Sequence, residues 1–520
     1  MWFLSFFLIN FCTLQTIHSS YLSDVNLPVE HVPYYLSFFE SVAKSCERDQ
    51  NCPYKNFLGR RFCWGYERDC NVSQSYHVRP NCPGEHRGWV QTKEAQYSTF
   101  YTQADFGYVK EQIDELMVMC EASYPQDSSL ECSKYLRFCR GRNLMLNFTG
   151  LVGRGDNLRY KVDILGPGQI GGHCHYYSER LKKEAEHMSA LQSWAPEMVN
   201  FVQTNKRPIQ DGICDLVVDK PTFIMKLDAT VNMYHHFCDF LNLYASLHVN
   251  ASHSAAFSRD NHILIWETFT YDSAFKDAFK AFTENPIWDL KLFRGKVVCF
   301  KNVVFPLLPR MIFGLYYNTP LIYGCERSGL FHAFSKHILH SLNINLDIRR
   351  NDKVRVTLLS RGTVYRSIIN EKELIGALLK VDGYYVQRVI YDRHMPFTQQ
   401  LEITRNTDVF IGMHGAGLTH LLFLPDWASV FELYNCEDPN CYYDLARLRG
   451  LKYVTWEDKS KLIQQDEGHG PNGSHAKFTN YAFDVEEFLR LVAKCAEHVR
   501  RRTDFKNYIE ASMKKVHEEL

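Results

Sequence analysis

The chain has no Asp-x-Asp pair anywhere in its 520 residues, the carboxylate pattern that commonly holds a divalent metal against a diphosphate. It also has no excess of charge: 59 basic residues balance 59 acidic ones. No domain is basic enough to meet a phosphate backbone, so a nucleic-acid partner is not expected. Low-complexity tracts are missing, and beyond the N-terminus there is no run of about 18 apolar residues, so no membrane span is expected. What is present is globular: 45% apolar and 23% charged residues. A chain this long exceeds one ordinary core, and two or three domains are expected.

Both ends of the chain read as addresses. Residues Trp2 to Thr16 are almost wholly apolar, lack a flanking basic anchor and precede the small residues Ser19 and Ser20, so residues 1–20 read as a cleaved secretory signal. The last four residues, His517, Glu518, Glu519 and Leu520, resemble the His/Lys-Asp-Glu-Leu retrieval signal of the endoplasmic reticulum, with Glu518 in place of Asp. The expected location is therefore the lumen of that compartment, with a retrieval receptor as one partner. Sequons at Asn71, Asn147, Asn250 and Asn472 fit a glycosylated lumenal chain. Once Cys12 leaves with the signal, sixteen cysteines remain of the seventeen. An even number in an oxidising compartment points to disulfides, and the spacings of Cys63/Cys70 and Cys132/Cys139 are not those of zinc knuckles.

Eight cysteines crowd between Cys46 and Cys139, so residues 21–150 read as a cysteine-rich region that props the next domain. From there the pattern is α/β. Thr222–Met225 and His262–Trp266 read as strands, Tyr234–Val249 as a helix, and Lys296–Phe300 and Asn302–Phe305 as a further pair of strands. A polar stretch ending at Asp352 separates this unit, residues 151–345, from a second at 346–500, with a tail at 501–520. The second unit alternates strand and helix from Lys353 to the amphipathic helix Val485–Val499, which predicts a doubly wound parallel sheet.

The most informative run is Asp408 to His420, in which the apolar strand Val409–Ile411 meets a glycine-rich turn expected to open a helix. Gly412, Gly415 and Gly417 let backbone N–H groups close on an anion at the positive end of the helix dipole. His414 and His420 add side-chain donors. The glycines are spaced G-x-x-G-x-G, which is neither the dinucleotide fingerprint nor a P-loop, so a nucleotide-sugar diphosphate is the better fit. Arg361 and, less directly, Arg366 follow the first strand of the unit at the edge where ligands collect, and arginine grips a diphosphate bidentately. Glu432 ends the next strand, where a carboxylate suits a ribose diol. In the first unit, His235 and Asp239 stand four apart on one helical face behind Asn232. That spacing serves proton abstraction from a hydroxyl and equally a capped helix with a buried polar pair. Two ways of neutralising a diphosphate are carried forward: a divalent cation such as manganese, and the arginine and glycine cradle.

The runs Asn232–Phe240, Leu308-Pro-Arg310, Gly412–His420 and Phe431–Cys436 resemble the animal EGF-domain-specific O-linked N-acetylglucosamine transferases. These belong to the inverting family that also holds plant xylosyltransferases, and the resemblance covers most of the chain. It implies a GT-B fold, two Rossmann-like domains facing a cleft, with the acceptor on the 151–345 side and UDP-GlcNAc mainly on the 346–500 side. The implied reaction moves GlcNAc to Ser or Thr hydroxyls of folded EGF repeats, on proteins such as Notch-type receptors and apical matrix proteins. Asp239 or His235 would be the base. Arg361, His414, Gly415, Gly417 and His420 would meet the donor, Glu432 its ribose, with Asn232, Arg310 and Arg366 in support. Vertebrate members carry an Asp-Tyr-Asp triplet where this chain has Glu284-Asn285-Pro286, so a metal role does not carry over to that segment. Two alternatives stand beside this reading: a transferase of the same fold with another UDP-sugar or acceptor, and a lumenal lectin or chaperone without catalysis.

Overall fold

The computed structural model describes residues 27–519 apart from 60–61, 72–74, 77–79, 85–89, 152–163, 187–188, 190, 252–255, 269, 310–323, 350, 434–440 and 471–472. The signal segment, Arg310, Asn472, Cys436 and Leu520 lie outside the described residues.

Two sheets organise the chain. The larger has eleven strands and is mixed. Its centre is Val297–Phe305, which runs parallel to Leu216–Val218 and Thr222–Met225 on one side and antiparallel to Cys139–Asn147 on the other. Thr222–Met225 continues in parallel to His262–Ile265 and Trp288–Asp289. Two sequence expectations change here. Lys296–Phe300 and Asn302–Phe305 are one strand, because Lys301 points to solvent and pairs with Asp219 at 2.5 Å without breaking the ladder. The division at residue 150 also falls inside the sheet, since Met117–Glu121, Ser129–Cys132 and Cys139–Asn147 are all members of it. The cysteine-rich segment is thus part of the first α/β unit, and that unit is mixed instead of all-parallel.

The second sheet has five parallel strands: β1 (Val354–Ser360), β2 (Tyr384–Ile390), β3 (Val409–Gly412), β4 (Ser429–Glu432) and β5 (Lys452–Thr455), in the order β2-β1-β3-β4-β5. Alternation splits their side chains between two cores. Val409, Ile411 and Phe431 pack with Phe488, Leu491 and Val492 of the Val485–Arg501 helix, whereas Phe410 and Val430 join the core of the first unit. The strand order reverses between β1 and β3, and the crevice at the carboxyl ends of those strands is where ligands of open α/β sheets bind. No helix among the described residues is long and apolar enough to cross a membrane.

Six disulfides join described cysteines: 46–52, 63–70, 82–325, 120–174, 132–139 and 214–299. Cys82–Cys325 is the longest in reach, tying the N-terminal segment to the start of the Gly329–Ser341 helix. The expectation of full pairing fails at Cys238 and Cys495, which are buried thiols; the Cys238 Sγ–H donates to the Tyr234 carbonyl within its own helix.

The N-terminal segment is also held by buried histidines. Tyr76 Oη lies 3.0 Å from His31 Nε2 and 3.1 Å from His332 Nδ1, and His332 Nε2 reaches Asp426 at 3.3 Å. His248 Nδ1 meets Tyr66 Oη at 3.1 Å. Burial holds all of these, with His337, far toward the neutral form: His332 falls from 6.5 to about 4, and His337 to about 3. A histidine whose folded pKa is depressed contributes stability that is fully present above about 6.5 and lost as pH falls toward the folded value. The expected result is a thermal midpoint that drops steadily between pH 6.5 and pH 4, read by scanning calorimetry; a flat profile over that window contradicts it.

Candidate active site

A cavity of about 380 Å³ opens at the switch point and is lined from both units. Val231, Met233, Ala274 and Phe275 come from the first unit; Leu359 to Thr363, Asp392, Arg393, Met413, Gly417 and His420 come from the second.

Its positive wall starts where β1 ends. Arg361 and Arg366 each donate from Nη1 to one acceptor, the carbonyl of His414, at 3.2 and 3.0 Å. Among the described residues neither guanidinium meets a carboxylate, and Arg366 Nε is buried with no partner. Burial, then the charge of Arg366, pulls the Arg361 guanidinium down to about 10, still protonated at neutral pH. Two crowded, partly desolvated cations without a described counter-charge suit an anion. The turn beside them requires glycine for a physical reason: Gly415 has φ +155°, and an added Cβ would lie 2.2 Å from Arg361 Nη1. Gly417 has a packing reason, with Leu359 Cδ2 at 2.7 Å from the same position. The segment that follows, Ala416–Phe423, is 3₁₀ and not α; its first residues, Ala416 and Gly417, line the cavity, and the first amides of such a turn have no intrahelical acceptors.

Two other predicted binding residues sit differently from expectation. His420 lines the cavity, but Nδ1 is 2.8 Å from the Gly417 carbonyl and Nε2 is 3.0 Å from Gln400 Oε1. Burial lowers its pKa to about 4, so it shapes the turn and carries no charge toward an anion. Glu432 is fully buried, with Oε1 at 2.6 Å from His414 Nδ1 and Oε2 accepting from Tyr453 Oη at 2.6 Å. The carboxylate expected at a ribose thus stands behind His414 and orients its ring.

On the opposite side, Asn232 caps the Met233–Val249 helix by accepting from the Tyr234 amide at 3.0 Å. His235 and Asp239 do not pair. His235 Nδ1 faces Asp228 Oδ2 at 2.9 Å, while Asp239 Oδ2 faces His236 Nδ1 at 2.8 Å and both its oxygens accept from the Asp228 amide. His236 Nε2 continues to Tyr271 Oη at 2.7 Å. Burial raises Asp239 to about 6. Of these groups, the side chains of Asp228, His236 and Asp239 are sealed, whereas that of His235 keeps 22% exposure. Sequence reasoning missed Asp228, although an acidic residue just past the end of the Thr222–Met225 strand was a readable signal. Tyr453 carries no such signal, since its role depends on β4 and β5 being neighbours.

The donor set bears on a resident metal. Among the described residues Asp392 is the one carboxylate lining the cavity, and it is turned to the amides of His394 and Met395 at 2.8 and 3.2 Å. Glu284 pairs with Arg259 at 2.7 Å. The only described cluster with three metal-capable groups, Cys63, Glu67 and Cys70, is spent on the Cys63–Cys70 disulfide. These residues do not fit a dedicated divalent-cation site.

Residues 230–431, from just ahead of Asn232 to beside Glu432, match the family Glycosyltransferase 61. Together with two α/β units around a cationic crevice, the match defines a glycosyltransferase. The chain is 57% identical over 490 residues to the EGF domain-specific O-linked N-acetylglucosamine transferase of Drosophila melanogaster, covering 94% of this chain and 93% of the relative. It is 50% identical over 503 residues to the mouse protein of the same name, covering 96% and 93%. The chain belongs to the family of EGF domain-specific O-linked N-acetylglucosamine transferases.

Gly415→Ala tests the turn. The added methyl meets a flexible guanidinium and not backbone, so the fold is expected to survive while Arg361 is displaced. An ångström-scale misplacement at a reacting centre costs about a hundredfold. Transfer should fall on that order while the thermal midpoint drops only as far as the strain of a side chain at this φ requires, about 1 to 3 kcal/mol; wild-type activity would remove Arg361 from the site.

Proposed function

We propose that this chain transfers GlcNAc from UDP-GlcNAc to a Ser or Thr hydroxyl of a folded EGF domain, with inversion, in the lumen of the endoplasmic reticulum. The observation that carries this is Arg361, which lines a cavity shared by both units and shares the His414 carbonyl with Arg366, neither guanidinium having a carboxylate partner among the described residues. The diphosphate lies on these guanidinium groups and the amides of the glycine turn, with His414 held toward it by Glu432. His235, oriented by Asp228 and accessible, takes the proton of the acceptor hydroxyl. The hydroxyl oxygen attacks the anomeric carbon, the carbon–oxygen bond to the β-phosphate breaks, and UDP leaves with the electron pair into the cationic wall. Attack opposite the leaving group inverts the centre. Asp239 and His236, sealed from solvent, hold the Asp228 segment in place.

The lumenal reading is supported by the apolar N-terminus, by the disulfides, by sequons whose asparagines Asn71, Asn147 and Asn250 are described, and by the exposed His517 and Glu518 at the end of the Thr503–Glu519 helix. A retrieval receptor would read that end. Incubation with UDP-GlcNAc and a folded EGF domain should add one N-acetylhexosamine by mass; an unchanged mass overturns the proposal. His235→Ala should lower turnover about 10²- to 10⁴-fold, the range of general base catalysis, while UDP affinity measured by calorimetry stays near wild type. Loss of UDP affinity instead would place His235 on the donor.

A further inference from the structure

We infer that Val231, Val364 and Tyr365 form an apolar rim on which the acceptor domain docks, an inference that rests on the proposed function. Val231 is 88% exposed and Val364 78%, while Tyr365 and Ile369 keep 41% and 55%. None of the four belongs to the apolar cores. Large apolar side chains left in water are costly when clustered, and such patches mark surfaces that bind something.

Their position decides what they bind. Val231 lines the mouth of the cavity from the first unit, and Gly362 and Thr363 line it from the second. Val364 and Tyr365 follow Thr363 directly and are exposed, so exposed apolar side chains come at or next to residues that line the opening from each unit. The loop from Arg361 to Ser367 is a built element. Arg361 Nε donates to Thr363 Oγ1 at 3.2 Å, Thr363 Oγ1–H to the Tyr365 carbonyl at 3.0 Å, and Ser367 Oγ–H to the Thr363 carbonyl at 2.9 Å. Arg366 sits at φ +57°, and its amide donates to the Thr479 carbonyl at 2.7 Å. The Tyr365 ring is braced edge-on by Phe478 at 5.5 Å. One loop therefore sets the Arg361 guanidinium at the cavity and leaves Val364 and Tyr365 exposed beside it.

A folded domain cannot enter a cavity of about 380 Å³. Only its hydroxyl-bearing segment reaches the sugar, and its body must rest on the lips. The matching partner surface is an apolar or aromatic side chain beside the acceptor hydroxyl, where burial of a few such contacts carries most of the affinity. The donor needs no contact with these residues. The rim thus sets acceptor KM and leaves donor KM alone.

The test compares wild type with Val364→Asp, Val231→Asp/Val364→Asp and Val364→Ile in steady-state transfer to a folded EGF domain. The double variant should raise acceptor KM about tenfold or more, Val364→Asp alone should raise it while donor KM and the thermal midpoint stay put, and Val364→Ile should behave as wild type. Unchanged acceptor KM in the double variant overturns the rim, as does a parallel rise in donor KM. If wild type itself modifies no EGF domain, the proposed function fails and the rim falls with it.

Discussion

Arg361→Ala is expected to reduce turnover to about one hundredth of wild type or less, the scale on which loss of one preorganised electrostatic donor is felt. The guanidinium projects from the end of β1 at the switch point, is braced by Thr363 and the His414 carbonyl, and is partly desolvated before any ligand arrives. Charge that builds on departing UDP would meet it without reorganisation. Arg361→Lys keeps the charge and loses the planar fork, so it should recover only part of the rate. Arg366→Ala should be milder, because Arg361 still contacts the same carbonyl. Single-turnover transfer separates these from slow product release. Equal rates for Arg361→Ala and wild type would remove the cationic wall from the mechanism.

The largest expected effect on stability comes from Asp408, the first residue of the glycine-turn run. Its carboxylate takes two hydrogen bonds from Arg349, at 2.8 and 2.9 Å, one from the Arg355 amide at 2.8 Å and one from Trp427 Nε1 at 2.8 Å. Both members of the ion pair are buried. Asp408→Ala leaves the Arg349 guanidinium in the core with no carboxylate, only the Lys353 carbonyl at 3.3 Å and the ring faces of Phe505 and Tyr508. Removing one partner of such a pair costs about 3 to 5 kcal/mol. Chemical denaturation should show the loss, and Arg349→Met with Asp408→Leu should restore much of it, since apolar replacements of buried pairs are often neutral. A loss under about 1 kcal/mol would mean that water reaches Arg349.

Several elements of the second α/β unit were readable because each carries its own signal, though the turn opens a 3₁₀ segment and the Cys441–Arg449 helix and the pairing of Leu462–Gln464 with Tyr481–Phe483 were not anticipated. β3 is a short apolar run, its turn is punctuated by glycines, and the Val485–Arg501 helix shows an apolar stripe. The first unit was harder. Strands such as Ser129–Cys132 and Ile170–Gly172 are short and owe their existence to neighbours distant in sequence. At the site, residue types with one physical purpose were found: Arg361 at a strand end, Gly415 at positive φ, Asn232 as a cap. Pairings were not. His235 and Asp239 share a helical face, but Asp228 comes in from a loop and takes the histidine. Glu432 stands at the right edge of the right strand, and the neighbour that draws it inward, Tyr453, belongs to another strand.

Phe237, in the helix that carries His235, packs against Phe397 at 5.6 Å and Phe423 at 5.5 Å. All three rings are buried, and they belong to one apolar core that runs unbroken from the first unit to the inner face of the second. Swinging the units apart like a jaw would wet this seam, at about 1.5 to 3 kcal/mol for each ring exposed. The enzyme is therefore closer to an anvil than to a jaw. Substrates come to a crevice whose width is already set, beside a lip that its own hydrogen bonds hold between Arg361 and Ser367.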